Sequence, residues 1–123
     1  MPSAHRSLVV KVTCGVEAPE RLNQAVTVAA TAVASGYAVS LWLTGEASWL
    51  AVPGRAEQFE LAQAAPLSDL LAAVLESGRV TVCGQCAARR ELTTDDLLAG
   101  VTIRGAAAYV EEVMTEGTQA LVY

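Results

Sequence analysis

The sequence predicts an α/β protein: a three-layer α/β/α sandwich on a mainly parallel sheet of about five strands. Three observations predict it. Short apolar runs rich in Val alternate with stretches whose apolar residues recur at helical spacing. The strand-like runs are continuously apolar instead of alternating, as in a parallel sheet covered on both faces. The length, 123 residues, suits one domain, read over residues 1–123, and the chain shows no linker, repeat or low-complexity tract.

The elements follow in order. Residues 7–13, SLVVKVT, form a short apolar strand interrupted by one charge, Lys11. Residues 17–35 are helical, with Pro19 near the first turn and Gly36 just past the end. Leu22, Val26, Ala29, Ala30 and Val33 mark the helix's buried stripe. Residues 38–43, AVSLWL, are the second strand. Thr44, Gly45 and Glu46 turn the chain into a short helix over residues 47–52, which Pro53-Gly54 breaks. Residues 57–61 read as either a short strand or a loop. A helix runs from Pro66-Leu67 through Glu76 and is closed by Gly78. Residues 79–82 are the next strand, and a helix follows it. Thr93 with Asp96 three residues on has the pattern of a helix start. Residues 101–103 are strand, 105–114 helix and 118–122 the last strand.

Composition narrows the function. Hydrophobic residues make up 53% and aromatics only 5%, so the core is built from Ala, Val and Leu. Such side chains suit close-packed helices on a sheet better than a ring-lined cavity. The net charge of −5 argues against a nucleic-acid phosphate surface. Lys11 is the sole Lys, and the Arg residues are scattered apart from Arg89-Arg90. No apolar run approaches the ~18 residues of a membrane span. Lys11 also interrupts any signal-peptide core near the start, so the expected location is the cytoplasm. No GxGxxG or Walker pattern occurs, and no cofactor is expected.

The chemistry-bearing stretch is Val80 to Cys86, VTVCGQC. A β-branched run ends in Cys83, Cys86 follows at CxxC spacing, and Ala87-Ala88-Arg89-Arg90 are good helix formers. Cys83 therefore stands at a helix start, where unpaired N–H groups and the positive end of the helix dipole favour a thiolate. Ligands of open α/β sheets meet the carboxyl ends of the strands. Cys14-Gly15, Thr44-Gly45-Glu46 and Cys83-Gly84 all follow strands. With those strands parallel they share one rim, and Cys14 then approaches Cys83 from a neighbouring loop.

The cysteines admit four readings: a reactive or sulfur-carrying thiol, a thioredoxin-like pair, a zinc site and plain structural residues. A closed zinc site needs four ligands. Cys14 and His5 would have to complete it, but His5 precedes the first strand, at the opposite rim, so no metal site is expected within one chain. The thioredoxin reading lacks an aromatic before Cys83 and any proline after Pro66 for a cis-Pro loop. Free Cys is commonly buried for structural reasons alone. The reactive thiol is favoured, with the amides of Gly84, Gln85 and Cys86 on its negative charge. Cys14 by itself suits a small residue in a strand-to-helix turn. Arg89 and Arg90 are solvated helix charges or lie near Cys83, Arg89 reaching back to lower its pKa. Glu46 is a surface carboxylate or a proton acceptor at the rim. Trp42 and Trp49 read as core and subunit-contact residues.

The layout and these residues resemble the DsrE/DsrF-like family, which includes the TusD-like sulfur-relay proteins. The resemblance spans nearly the whole chain: SLVVKVT, the helix with Ala29-Ala30, AVSLWLTGE, VTVCGQCAARR and QALVY. Its most specific part is strand, Cys83, two residues, a small residue at 86, Ala87, then Arg89-Arg90. The resemblance implies a flavodoxin-like DsrE/F-like fold, a persulfide carried on Cys83, protein sulfur donors and acceptors, and assembly as trimers or hexamers. Charge and hydropathy, as above, leave no membrane or direct nucleic-acid partner expected. Relay members have a small non-thiol residue where Cys86 stands. A second thiol there can attack a Cys83 persulfide, which brings a thiol-disulfide or peroxide-linked redox protein into play. A non-catalytic oligomeric binding module is the remaining alternative.

Overall fold

The computed structural model describes residues 6–123. Strands β1 (Ser7–Val12), β2 (Ala38–Leu43), β3 (Arg79–Cys83), β4 (Thr102–Arg104) and β5 (Thr118–Val122) form one sheet in the order β4-β3-β2-β1-β5. Every neighbouring pair is parallel. The helices are α1 (Pro19–Ala34), α2 (Leu67–Ser77), α3 (Gly84–Arg89) and α4 (Ala106–Val113).

Helix α1 begins with Pro at its first position, where no intrahelical N–H is needed. Its buried Leu22, Ala25, Val26, Ala29 and Ala30 recur at three- and four-residue steps. The three alanines let the helix lie close to the sheet and to α2. Beyond Ser35 the chain turns at Gly36, whose φ of 91° is the left-handed geometry of a helix end.

Strand register sorts the side chains into two faces, because neighbours along a strand point oppositely. Val10 pairs with Leu41 and Leu41 with Val80; Val12 pairs with Leu43 and Leu43 with Val82. These six are buried and form the core with α1, α2 and Ala87 of α3. On the other face Lys11 pairs with Trp42, Trp42 with Thr81 and Thr81 with Thr102. One row further, Cys83 pairs with Arg104.

This second face differs from the continuously apolar reading of the strands. Lys11, Ser40, Thr81 and Arg104 occupy it, and the contacts it makes with a helix are with α4. Tyr109 meets Trp42 edge-on, centroids 5.2 Å apart. Glu112 lies over the polar side chains and accepts from Ser40 Oγ (2.6 Å), Trp42 Nε1 (3.0 Å), Arg79 Nη1 (3.1 Å) and Arg104 Nη2 (2.6 Å). A carboxylate with four donors makes the polar layer compatible with burial.

Other segments refine the sequence reading. Residues 47–52 were expected to be a short helix; the chain instead makes a 3-10 helix over Gly45–Ala51. Its residues Ala47, Ser48, Leu50 and Ala51 are buried, so packing holds a run longer than 3-10 geometry usually sustains. Ambiguous residues 57–61 carry a 3-10 turn, Ala56–Gln58, and then irregular chain. The Thr93–Asp96 signal starts only a 3-10 turn, Thr94–Asp96. The Asp96 carboxylate accepts from the Thr93 N–H at 2.8 Å and from its hydroxyl at 3.1 Å. The backbone becomes extended at Leu97, so the helix does not propagate.

Candidate functional site

Cys83 is the last residue of β3 and caps α3, with extended backbone angles (φ −62°, ψ 131°). The strand–thiol–helix order read from the sequence is the observed one. Its thiol is half-buried. Burial pushes the thiol's pKa up. Hydrogen bonds from the Cys86 N–H, the Cys86 side chain and the Gln85 N–H, together with the positive charge of Lys11, outweigh that push, and the pKa lies below the ordinary cysteine value. The donors are the amides of residues 85 and 86; Gly84 is the turn that aims them.

Cys86 stands one helical turn further and is buried. Its sulfur also accepts the Gly45 N–H at 3.1 Å. That bond ties α3 to the turn after β2. Gly45 has φ 54°, and a Cβ there would lie 2.7 Å from the Thr13 carbonyl oxygen. Gly15 is equally cramped, since its Cβ would sit 2.8 Å from the Glu46 carbonyl oxygen. Glycines at both positions let the turns after β1 and β2 close on one another.

Arg90, just past α3, clasps the same junction. Its Nη1 donates to the Cys86 carbonyl at 3.1 Å and its Nη2 to Glu46 Oε2 at 2.8 Å. Glu46 is therefore the partner of a guanidinium. Arg89 turns elsewhere: its Nη2 donates to Gln85 Oε1 at 3.3 Å, and Cys83 has no hydrogen bond from it. The back-reaching contact expected of Arg89 is not formed. Gly15 and Glu46 also line an open cleft of about 630 Å³ with Trp49, Arg55 and Phe59. Arg55 stacks over the Trp49 ring at 4.5 Å, which gives that tryptophan a local partner within the chain.

Cys14 lies on the same rim but in the core. Burial pushes its thiol up, with Arg21 pulling only partly the other way. In the sheet β2 runs between β1 and β3, so the strands that lead to Cys14 and Cys83 are not neighbours. The groups that lower the Cys83 pKa are on its own helix, Gln85 and Cys86, and on β1, Lys11. Among the described residues no group of three or more His, Cys, Asp or Glu is arranged to hold a metal ion. His5, weighed above as a zinc ligand, lies outside the described residues.

The sequence reading missed the face behind Cys83. Lys11 affects its charge, Arg104 is its neighbour across β3 and β4, and Tyr109 holds the Lys11 ammonium 4.9 Å from its ring centroid. A signal was present in β1, where the only Lys of the chain interrupts Val residues. Alternation from Val10 and Val12 assigns Lys11 to the other face.

The parallel sheet and the β3–α3 junction can be set beside known proteins, by sequence for the family and by structure for the fold. The profile of the DsrE/DsrF-like family matches residues 7–122, and the chain belongs to that family. Its structure is similar to that of the YchN protein from E. coli, with a TM-score of 0.79 at 16% identity over 96% of this chain and 99% of that one. It is also similar to MTH1491 from Methanobacterium thermoautotrophicum, a protein of unknown function (TM-score 0.69, 14% identity, 96% and 99% covered). A third similar structure is BT1422 from Bacteroides thetaiotaomicron, also of unknown function (TM-score 0.61, 13% identity, all of both chains covered). At these identities the likeness concerns the fold. No curated protein matches the sequence. No helix among the described residues is long and apolar enough to cross a membrane.

Proposed function

We propose that the protein is a cytoplasmic sulfur carrier that holds a persulfide on Cys83, receiving sulfur from one protein and passing it to another. The observation that carries this reading is the half-buried Cys83 thiol, held below its ordinary pKa by the amides of Gln85 and Cys86. Family membership supports it, because sulfur-relay proteins belong to the same family. The Cys83 thiolate attacks the outer sulfur of a donor persulfide, R–S–SH. A Cys83–sulfur bond forms, the donor's S–S bond breaks, and the donor leaves as R–S⁻. Both sides carry one proton on the transferred sulfur and one negative charge. No metal or organic cofactor takes part in the step.

Cys86 supports a second reading. Its side chain is one helical turn from Cys83 and is among the groups that lower the Cys83 pKa. From there its thiol can attack the inner sulfur of a Cys83 persulfide, leaving a Cys83–Cys86 disulfide and releasing H₂S. The protein is then a thiol-disulfide protein that reduces sulfane sulfur, with the disulfide reopened by an external dithiol. The same pair would serve peroxide: a sulfenate on Cys83 would be resolved by Cys86, with water released.

We propose a homo-oligomer, trimer or hexamer, built on α4 and β5. Val110 of α4 and Met114 just past its end are 53% and 76% exposed; Leu121 and Val122 of β5 are also exposed. The reduced protein, treated with a persulfide donor, should gain one sulfur atom in intact mass, mapped to Cys83 and absent in Cys83→Ser. Loss of two hydrogens instead, on a Cys83–Cys86 peptide pair, favours the redox reading. No adduct and no disulfide would leave a non-catalytic binding module.

A further inference from the structure

The Cys86 sulfur makes a bond that the chemistry proposed above does not use: it accepts the Gly45 N–H at 3.1 Å. Two more bonds join the same turn to the α3 end, both through Arg90, which reaches the Cys86 carbonyl at 3.1 Å and Glu46 Oε2 at 2.8 Å. The 3-10 helix Gly45–Ala51 is thus clamped to α3 at its start, and one of the clamps is a thiol. Its far end is held separately, the Leu98 N–H donating to the Ala51 carbonyl at 2.8 Å. Thr44 anchors the chain before it, donating from its hydroxyl and its N–H to the Val12 carbonyl. The span free to move therefore begins at Gly45. Closing it has a cost, because Arg90 Nε is buried with no hydrogen-bond partner among the described residues.

Cys83 caps α3 and Cys86 follows it by three residues, the spacing at which side chains of one helical turn meet. A disulfide between them needs the sulfurs about 2.05 Å apart, so the Cys86 sulfur moves to meet Cys83. It also ceases to be a thiol that can ionise, and loses the charge that would strengthen a bond from an N–H. Both changes weaken what the Gly45 N–H is bonded to. Glu46, the next residue, lines the cleft of about 630 Å³ together with Gly15 and Trp49. Its carbonyl oxygen lies so near Gly15 that a Cβ there would be 2.8 Å from it. That wall of the cleft is shut by the clamps to α3.

We propose that the Cys83–Cys86 pair is a redox latch on this cleft. Reduced, Cys86 holds Gly45 and keeps the Glu46 wall against Gly15; as a disulfide it lets Gly45 go, and the wall loosens. This rests on the redox reading of the pair and gives it a conformational consequence. The oxidant is a disulfide, R–S–S–R. The Cys83 thiolate attacks one of its sulfurs, a Cys83–S–S–R bond forms, and R–S⁻ leaves. The Cys86 thiol then attacks the Cys83 sulfur, and its proton leaves with the second R–S group as R–SH. Two electrons pass from the pair to R–S–S–R, and an external dithiol returns them and resets the latch.

The test compares amide hydrogen exchange, read by peptide mass, in the whole protein reduced and after oxidised glutathione. Intact mass records the disulfide as a loss of two hydrogens. The Gly45 amide, in a peptide spanning residues 44–52, should exchange roughly fivefold faster in the oxidised protein, as expected for one lost hydrogen bond. Peptides of α1 should keep their rates, which separates local release from general loosening. Reduced Cys86→Ala should show the faster rate at 44–52 with no oxidant. An unchanged rate at 44–52 in the oxidised protein or in folded Cys86→Ala, an equal rise in α1, or a pair that forms no disulfide overturns the proposal. A lasting Cys83 persulfide with no disulfide would remove the latch and leave the sulfur carrier. A working latch in a protein that takes no sulfur from a persulfide donor would remove the sulfur carrier and leave the latch.

Discussion

Replacing Glu112 by Gln tests the polar layer that fastens α4 to the sheet. The Glu112 carboxyl is held at about 2. Burial opposes its charge, but hydrogen bonds from Ser40, Trp42 and Arg104 and the Arg104 charge prevail. Against an ordinary Glu value near ~4.3, that depression corresponds to roughly 3 kcal/mol of folding stability at neutral pH. The Glu112 side chain is 16% exposed, so solvent trims this figure only modestly, whereas Arg79, at 58%, contributes little. Gln keeps the shape and one acceptor oxygen but loses the charge, so the expected loss is about 2–3 kcal/mol. Its pH dependence is specific. Because the folded-state pKa is lowered, the stabilisation is complete above the unfolded value and disappears as pH falls toward about 2. Urea unfolding followed by tryptophan fluorescence at pH about 7, 5 and 3 should show the gap between the parent and Glu112→Gln closing. A gap that is the same at all three values, or below about 0.5 kcal/mol at neutral pH, refutes the reasoning.

Three further outcomes are expected. Cys83 should alkylate with a midpoint below the ~8.5 of a free cysteine, and Cys86→Ala should raise that midpoint by removing one hydrogen bond; a midpoint at or above the free value would count against helix-start activation. Arg89→Ala should leave the Cys83 titration unchanged, because its guanidinium bonds to Gln85; a rise would show a contact the structure lacks. Gly45→Ala should cost about 2–4 kcal/mol in urea unfolding, from the left-handed backbone and the collision with the Thr13 carbonyl; a neutral effect would mean the turns after β1 and β2 are not pressed together.

Much of the frame was legible because hydrophobic period reports burial. β2 lies on its apolar run and is largely buried, and α1 carries the predicted stripe from Leu22 to Ala30, with Val33 only partly buried; β5 is a strand as expected, yet most of it is exposed. The thiol's position was legible because a β-branched run meeting helix formers leaves little choice of geometry. What escaped was whatever depended on strand order. That β2 separates the strands leading to Cys14 and Cys83 is a matter of sheet order, which no local pattern encodes. The second face escaped because α4 and β2 lie far apart in sequence, and only their meeting makes Glu112 the acceptor for Ser40 and Trp42. Arg89 and Arg90, adjacent in sequence, part company because consecutive helix residues point about a quarter-turn apart.

The place of β5 beside β1 has a consequence for how the molecule is made. Ser7 and Thr118, joined through their hydroxyls at 3.0 Å, are 111 residues apart. Until residues 118–122 emerge from the ribosome, one flank of the founding strand is open to any passing chain, and closure must await the most distant pairing in the sheet. Slow maturation and a hazard of misassembly during synthesis are thus written into the topology.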